Sequence, residues 1–460
     1  MHAPAAPPPV RRRHPARWLA WGGLGVLGVL VVAVVALLAW LPDDDEVARR
    51  TAQEFERRFG VALAIGNARW ALRPVPVIEF RDVATQQPQP ITLRRLAVYP
   101  QWRSLLQRRI EIARLEVEGV VLPRDSVRAF RGREKLADDP PASSAWTLAD
   151  IPVHSVRFRD VSWIDRRGIG LAYDGEVEFG SRWRPRELQV QRPGVAPPAR
   201  ARIERDGEVL DDSAGQGDVG TERWRVNVEV GGGSWDGDAT LATAPDGGMR
   251  LTASLAPKNI DLEALTGAFG RHSAVAGRMS GETTLEAAGE HPGELVRSLH
   301  TRTRFTVHPA TLRRFDLART VTTAGTQREG QTVLDELSGT LDTQATDDGI
   351  ALHYIDLRAR SGVLTASGDV RVLNRRLQGE VAVDLVDGVV GFPLKLGGTL
   401  DKPELSLTGG ALAGAAAGSA VLPGVGTAIG ARIGQKLEQL FGSEDAPAKK
   451  AARRNRSNAR

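Results

Sequence analysis

The 460-residue chain has no cysteine, so neither a disulfide framework nor a thiolate metal site is open to it. Aromatic residues make up 5%, so an apolar face must be built mostly from Val, Leu, Ala and Gly. Signatures of catalysis are missing as well: there is no Walker-type loop, nucleophile elbow or His-Glu-x-x-His. Gly23-x-Gly25-x-x-Gly28 has the spelling of a dinucleotide fingerprint, but it lies inside an apolar run and follows no strand. His154, His272, His291, His300, His308 and His353 are scattered without a metal-ligand spacing. The expectation is therefore a non-enzyme with no cofactor and no metal.

Charge is absent from Trp18 to Leu41, which reads WLAWGGLGVLGVLVVAVVALLAWL. A helix of that length rises ~1.5 Å per residue and can cross a hydrocarbon core of ~30 Å. Arg11, Arg12, Arg13 and Arg17 precede it, and Asp43, Asp44, Asp45 and Glu46 follow. The arginines predict an N-terminus kept in the cytoplasm and a body on the far side. Trp18, Trp21 and Trp40 suit the two aromatic belts. A cleaved secretory signal is the competing reading, opposed by the length and by the want of a small-x-small site.

The net charge is +5. The N-terminal tail holds four arginines, and Lys449, Lys450, Arg453, Arg454, Arg456 and Arg460 lie in the C-terminal tail; subtracting those ten leaves −5 for the rest. An acidic body with basic ends favours anionic membrane surfaces over nucleic acid as the partner.

After the apolar run, Val47, Thr51, Phe55 and Phe59 form a helical stripe that Gly60 closes. The period then falls to two, the mark of β-strands: Val61, Leu63 and Ile65, then Ile110 and Ile112. It recurs at Trp224 to Val230, Trp235 to Leu241, Met249 to Leu255, Met279 to Ala287, Leu364 to Val372, Leu377 to Leu385, and Phe392 to Leu396. Short turns, such as those at Gly231-Gly232-Gly233 and Asn374, predict consecutive antiparallel hairpins. Asp261 should cap a helix to Phe269, and Pro292 should open one reaching Leu299. Residues 137–145 and 192–220 read as linkers or loops. One apolar face per strand fits a thin sandwich or a curved sheet lining a trough, and periodicity favours the sandwich.

The last uncharged stretch, Leu405 to Ala431, is rich in Gly and Ala. Gly410, Gly414 and Gly418 recur at four-residue spacing, as do Gly426, Gly430 and Gly434, with Pro423-Gly424 between. This predicts a hairpin of two short, close-packing helices. It would be a cap on the sheet, an insertion into a membrane surface, or a second span.

The order of short motifs carries a resemblance. Phe59-Gly60-Val61, Ile65-Gly66 and Trp70-Ala71-Leu72-Arg73-Pro74 are followed by Arg81-Asp82-Val83 and Leu96-Ala97-Val98. Leu105-Leu106, Ile110, Ile112, Leu115 and Val117-Glu118-Gly119 come next, and Gly397-Gly398-Thr399-Leu400-Asp401-Lys402-Pro403 closes the set. Together with the anchor, this succession resembles the AsmA family of Gram-negative inner-membrane proteins. The resemblance implies a periplasmic β-groove related to bridge-like lipid transfer proteins, and turns the choice from sandwich to trough. Its apolar floor would include Leu364, Val370, Val372, Leu377, Val381, Val383, Leu385, Leu394 and Leu396. Arg94, Arg95, Arg108 and Arg109 would meet phosphate headgroups or form a solvated sheet face.

The expected fold is mainly β: a transmembrane helix, an elongated, curved, groove-like antiparallel sheet with short helices, and a Gly/Ala-rich C-terminal hairpin. The parts are a cytoplasmic tail (1–17), the span (18–41), an N-terminal module (42–136), a linker (137–145), the groove module (146–407), the hairpin (408–442) and a basic tail (443–460). Expected partners are the inner membrane, phospholipid, and an outer membrane or periplasmic protein at the far end. The function implied is lipid transport toward the outer membrane; the alternative is a structural or regulatory role in outer-membrane protein assembly.

Overall fold

The computed structural model describes residues 44–71, 75–130, 147–165, 168–181, 184–210, 220–290, 292–323, 327, 329–346, 349–385, 393–400 and 402–407. The expected span at 18–41, the linker at 137–145, the hairpin at 408–442 and the tail at 443–460 lie outside these residues. Among the described residues no helix is long and apolar enough to cross a membrane. The chain is mainly β, with 21 strands and few helices among the described residues, and divides into two compact units at Val190/Gln191. Residues 246–249 and 289–295 group with the first unit.

Unit 1 opens with helix α1 (Asp44–Phe59). Ala48, Thr51, Ala52, Phe55 and Phe59 recur at three- and four-residue steps and turn to the sheet, while Glu46 pairs with Arg49 and Arg50 at 3.1 and 2.6 Å. Gly60 ends the helix at φ 64°, a left-handed conformation that glycine adopts without strain. Seven strands follow: β1 (Leu63–Ala71), β2 (Val77–Thr85), β3 (Thr92–Pro100), β4 (Arg109–Pro123), β5 (Thr147–Ile164), β6 (Gly170–Phe179) and β7 (Pro185–Gln191). Two short helices flank β4, α2 (Trp102–Leu106) before it and α3 (Arg124–Arg128) after it.

Strands β1 to β4 pair antiparallel in chain order, and β5 pairs antiparallel with β6. Between β4 and β5 the pairing is parallel, an exception within a sheet that is otherwise antiparallel as expected. Parallel neighbours need a crossover of a dozen residues or more, and 124–146 supplies it. Because β5 pairs along β4, unit 1 continues past 137–145 as far as Val190. The core lies between α1 and the sheet. Phe55, Phe80, Leu96, Ile112 and Leu115 are at most 1% exposed, and the rings of Phe55 and Phe59 meet at 4.8 Å. Each such side chain contributes roughly 1.5–3 kcal/mol on burial.

Unit 2 holds β8 (Arg200–Leu210), β9 (Gly220–Val230), β10 (Gly233–Thr243), β11 (Met249–Lys258), β12 (Ile260–Asp261), β13 (Val275–Gly289) and β14 (His300–Leu312). It continues through β15 (Thr332–Leu334), β16 (Glu336–Thr346), β17 (Gly349–Arg360), β18 (Leu364–Leu373), β19 (Arg376–Leu385), β20 (Pro393–Gly398) and β21 (Pro403–Leu407). Antiparallel pairings join β8–β9–β10 and β13–β14–β16–β17–β18–β19–β20–β21, and β11 pairs with β13 in the same sheet. Strand β8 occupies much of the stretch read from sequence as a loop. Its alternation of Ala201, Ile203 and Arg205 is too weakly apolar to announce a strand.

The short helices are α4 (Leu262–Ala268), α5 (Pro292–Arg297) and α6 (Leu317–Thr322). Asp261 caps α4 by accepting from the amides of Glu263 and Ala264 at 2.9 and 2.8 Å, satisfying donors that a helix start leaves unpaired. Between β18 and β19, Leu373 pairs with Arg376 across Asn374 and Arg375, both at positive φ (49° and 67°), as a two-residue hairpin turn requires.

Candidate functional site, an apolar sheet face

The nine residues expected to line a groove come together on one face of three adjacent strands. Cross-strand partners stand Leu364 opposite Leu385, Val372 opposite Leu377, and Val381 opposite Leu394, while Val370 and Leu396 flank Gly379. Directly paired residues present their side chains to the same side, so this register assembles a continuous apolar surface. The strands' other side carries Gln378, Glu380, Asp369 and Arg371, all exposed.

Exposure varies along that surface. Leu364, Val383 and Leu394 are at most 1% exposed; Val370, Val372 and Leu396 are also buried; Leu377, Val381 and Leu385 are half-buried. Helix α6 explains part of the difference. It rests against β19, and its Leu317 and Val321 are buried in the same cluster as Leu364, Val383 and Leu394. Asp316 starts α6 by accepting from the Arg319 amide at 2.9 Å. One part of the expected floor is thus covered by the chain itself.

The face continues where the sequence was silent. Leu341 pairs with Tyr354, and Tyr354 with Val370; Leu352 stands opposite Val372. Leu341, Leu352 and Tyr354 are half-buried. The Phe305 and Tyr354 rings meet edge to face at 6.4 Å and 88°. Burial pushes the Tyr354 hydroxyl pKa up. Phe305 has Gly281 on one side and Gly339 on the other, and the missing side chains leave room for its ring. A Cβ at Gly281 would come within 2.1 Å of the Arg304 carbonyl. The alternation of Leu337, Gly339 and Leu341 is the signal that could have revealed β16. Across β13 and β14, Thr283 and Thr303 bury hydroxyls that bond to each other at 2.9 Å, so polarity here is satisfied internally. On β8–β9, Arg205 and Glu222 approach at 3.7 Å with side chains 12% and 14% exposed.

The four arginines expected at headgroups separate into two pairs. Arg94 bonds Asp160 at 2.7 Å and approaches Glu118 at 3.6 Å. Arg95 meets Glu79 at 2.7 Å and Glu116 at 3.4 Å. Gly119, at φ 67°, faces Arg94 so closely that a Cβ there would lie 2.8 Å from the Arg94 Cβ. Both guanidiniums belong to a ladder of alternating charge that also includes Arg81, Arg114, Arg157 and Glu176. Phosphate would have to compete with those carboxylates. Arg108 and Arg109 are instead exposed, in the turn between α2 and β4 and at the start of β4.

Two carboxylates of unit 1 are tuned by their partners. Burial raises the pKa of Glu79, but hydrogen bonds from Arg95 and Arg81 outweigh it and hold the group below 4.5. For Glu111, burial is likewise outweighed by hydrogen bonds from Ser104 and His154. A depressed folded pKa contributes stability above the unfolded value and loses it as pH falls through the folded one. Unit 1 should therefore lose urea resistance as pH falls below about 4.5, and Glu79→Gln with Glu111→Gln should flatten that loss. An unchanged slope in denaturation titrations would reject the assignment.

Among the described residues no cluster of three or more His, Asp or Glu side chains could hold a metal ion. Neither family models, curated proteins nor solved structures match the chain.

Proposed function

We propose that the chain is an inner-membrane-anchored, AsmA-like periplasmic protein that holds phospholipid acyl chains against the apolar face of unit 2. In this reading it contributes to lipid transport toward the outer membrane, passively and without catalysis. The observation that supports it is the row Leu341, Tyr354, Val370, Gly379, Leu396, one cross-strand step after another, with half-buried apolar neighbours at Leu352, Leu377 and Val381. Contiguous apolar surface left partly open marks an interaction site, and acyl chains can cover it at ~0.8 kcal/mol per buried CH₂. Such contacts have no direction, so a chain can slide along the row without breaking any specific bond.

The full chain, extracted from membranes in mild detergent, should carry about one phospholipid or more per molecule by mass spectrometry. A chain that purifies free of phospholipid would overturn the reading. One observation favours the alternative, a structural or regulatory role in outer-membrane protein assembly. Leu364, Val383 and Leu394 are already covered by protein, as a core without lipid would be.

A further inference from the structure

Helix α2 exposes apolar side chains that the core of unit 1 does not use. Trp102 is 50% exposed and Leu106 is 70% exposed. Arg103, Gln107, Arg108 and Arg109 beside them are exposed too. Ser104 is the residue that turns inward: its hydroxyl donates to Glu111, whose other oxygen meets His154 Nε2 at 2.7 Å. That bond seats the helix on β4 and β5 and fixes which side chains face outward.

The topology places this group. Ala71 pairs with Val77, Ile78 with Val98, and Pro100 with Ile112, so the β1–β2 tip, α2 and the start of β4 share one end of the sheet. Val75 at that tip is 52% exposed. The opposite end holds Phe59, whose ring meets that of Phe130, beyond β4, at 5.9 Å. Three residues, 60–62, join α1 to β1, so the helix runs back along the sheet. Its 16 residues span about 24 Å and carry its start toward the α2 end. The uncharged run 18–41 ends two residues before the chain reaches 43 and α1 begins at Asp44. At no more than ~3.6 Å per residue, that run ends within about 11 Å of α1.

We propose that the α2 end of unit 1 docks on the surface of an anionic phospholipid bilayer, the one entered by residues 18–41; the proposal rests on the anchor reading. Trp102, Leu106 and Val75 would sit at the level of the headgroups. Arg103, Arg108 and Arg109 supply the complementary charge, with stems that lie along apolar surface while their guanidiniums reach phosphate. At the start of α1, Glu46 is engaged by Arg49 and Arg50.

The absence of cysteine makes the test direct, because one introduced thiol carries the only label. Full-length Leu106→Cys and Gln89→Cys chains, each bearing an environment-sensitive dye, are reconstituted into phosphatidylethanolamine–phosphatidylglycerol vesicles with a shallow spin-labelled lipid. Gln89 is exposed at the other end of the strands, about 30 Å away. The dye at 106 should lose about half its fluorescence while the dye at 89 is nearly unaffected. Replacing Arg103, Arg108 and Arg109 by Glu in the Leu106→Cys chain should reduce that quenching about threefold or more. Equal quenching in vesicles without phosphatidylglycerol would overturn the anionic assignment. If the chain floats with the vesicles but position 106 is unquenched, the docking falls and the anchor stands. If it does not float, both fall.

Discussion

Phe80→Ala should lower the stability of unit 1 by about 3–5 kcal/mol. The ring is 0% exposed and sits in the middle of its sheet, with Ala68 opposite it on β1 and Leu96 on β3. Helix α1 closes the face above with Phe55. Removing the ring forfeits its transfer energy and leaves a cavity that paired strands cannot collapse to fill. With a urea slope of about 1–3 kcal/mol per molar, the unfolding midpoint of unit 1 should move down by a molar or more. Trp102→Ala is the contrast. It removes a larger ring from a half-exposed site and should stay within about 0.5 kcal/mol of the parent. A Phe80→Ala midpoint close to that of Trp102→Ala would show that α1 does not seal the sheet.

Val381→Arg should strip bound phospholipid from unit 2 by about tenfold or more while the chain still folds. Val381 is half-buried between Gly368 and Leu394 on the candidate floor. An arginine there can lay its stem along the sheet and keep its guanidinium in water, so the fold is spared. An acyl chain crossing the same place would have to cover that charge. Burying it costs several kcal/mol, and each 1.4 kcal/mol is a factor of ten in occupancy. Gln378→Arg adds the same charge on the exposed opposite side and should leave lipid content unchanged. The measurement is phospholipid per purified chain. Retention of lipid by Val381→Arg would place any lipid elsewhere.

Much of this face was legible because alternation is local. Leu364 to Val372 and Leu377 to Leu385 repeat every second residue, and Asn374 marks the turn that sets one strand against the other. Such a turn fixes register, and register fixes which residues are neighbours. Strands β8, β16 and β17 were harder to see. Arg205, Gly339 and Thr343 stand where an apolar residue would have completed the pattern. The parallel β4–β5 pair was invisible for another reason: a strand alternates in the same way beside a parallel or an antiparallel neighbour.

Local pattern alone carries the β class of the body, the α1 stripe with its stop at Gly60, the Asp261 cap, and the expectation of an uncharged membrane anchor at 18–41. These rest on spacings within a dozen residues, where periodicity and turn chemistry act directly. Which arginines are engaged depends on the folded chain, because Arg94 meets Asp160 from 66 residues away. Folding also sets α6, with Leu317 and Val321, over part of the candidate floor, and turns Trp102 and Leu106 outward at one end of unit 1. Burial and ion pairing are properties of distant partners brought together by strand register, and no local pattern encodes them.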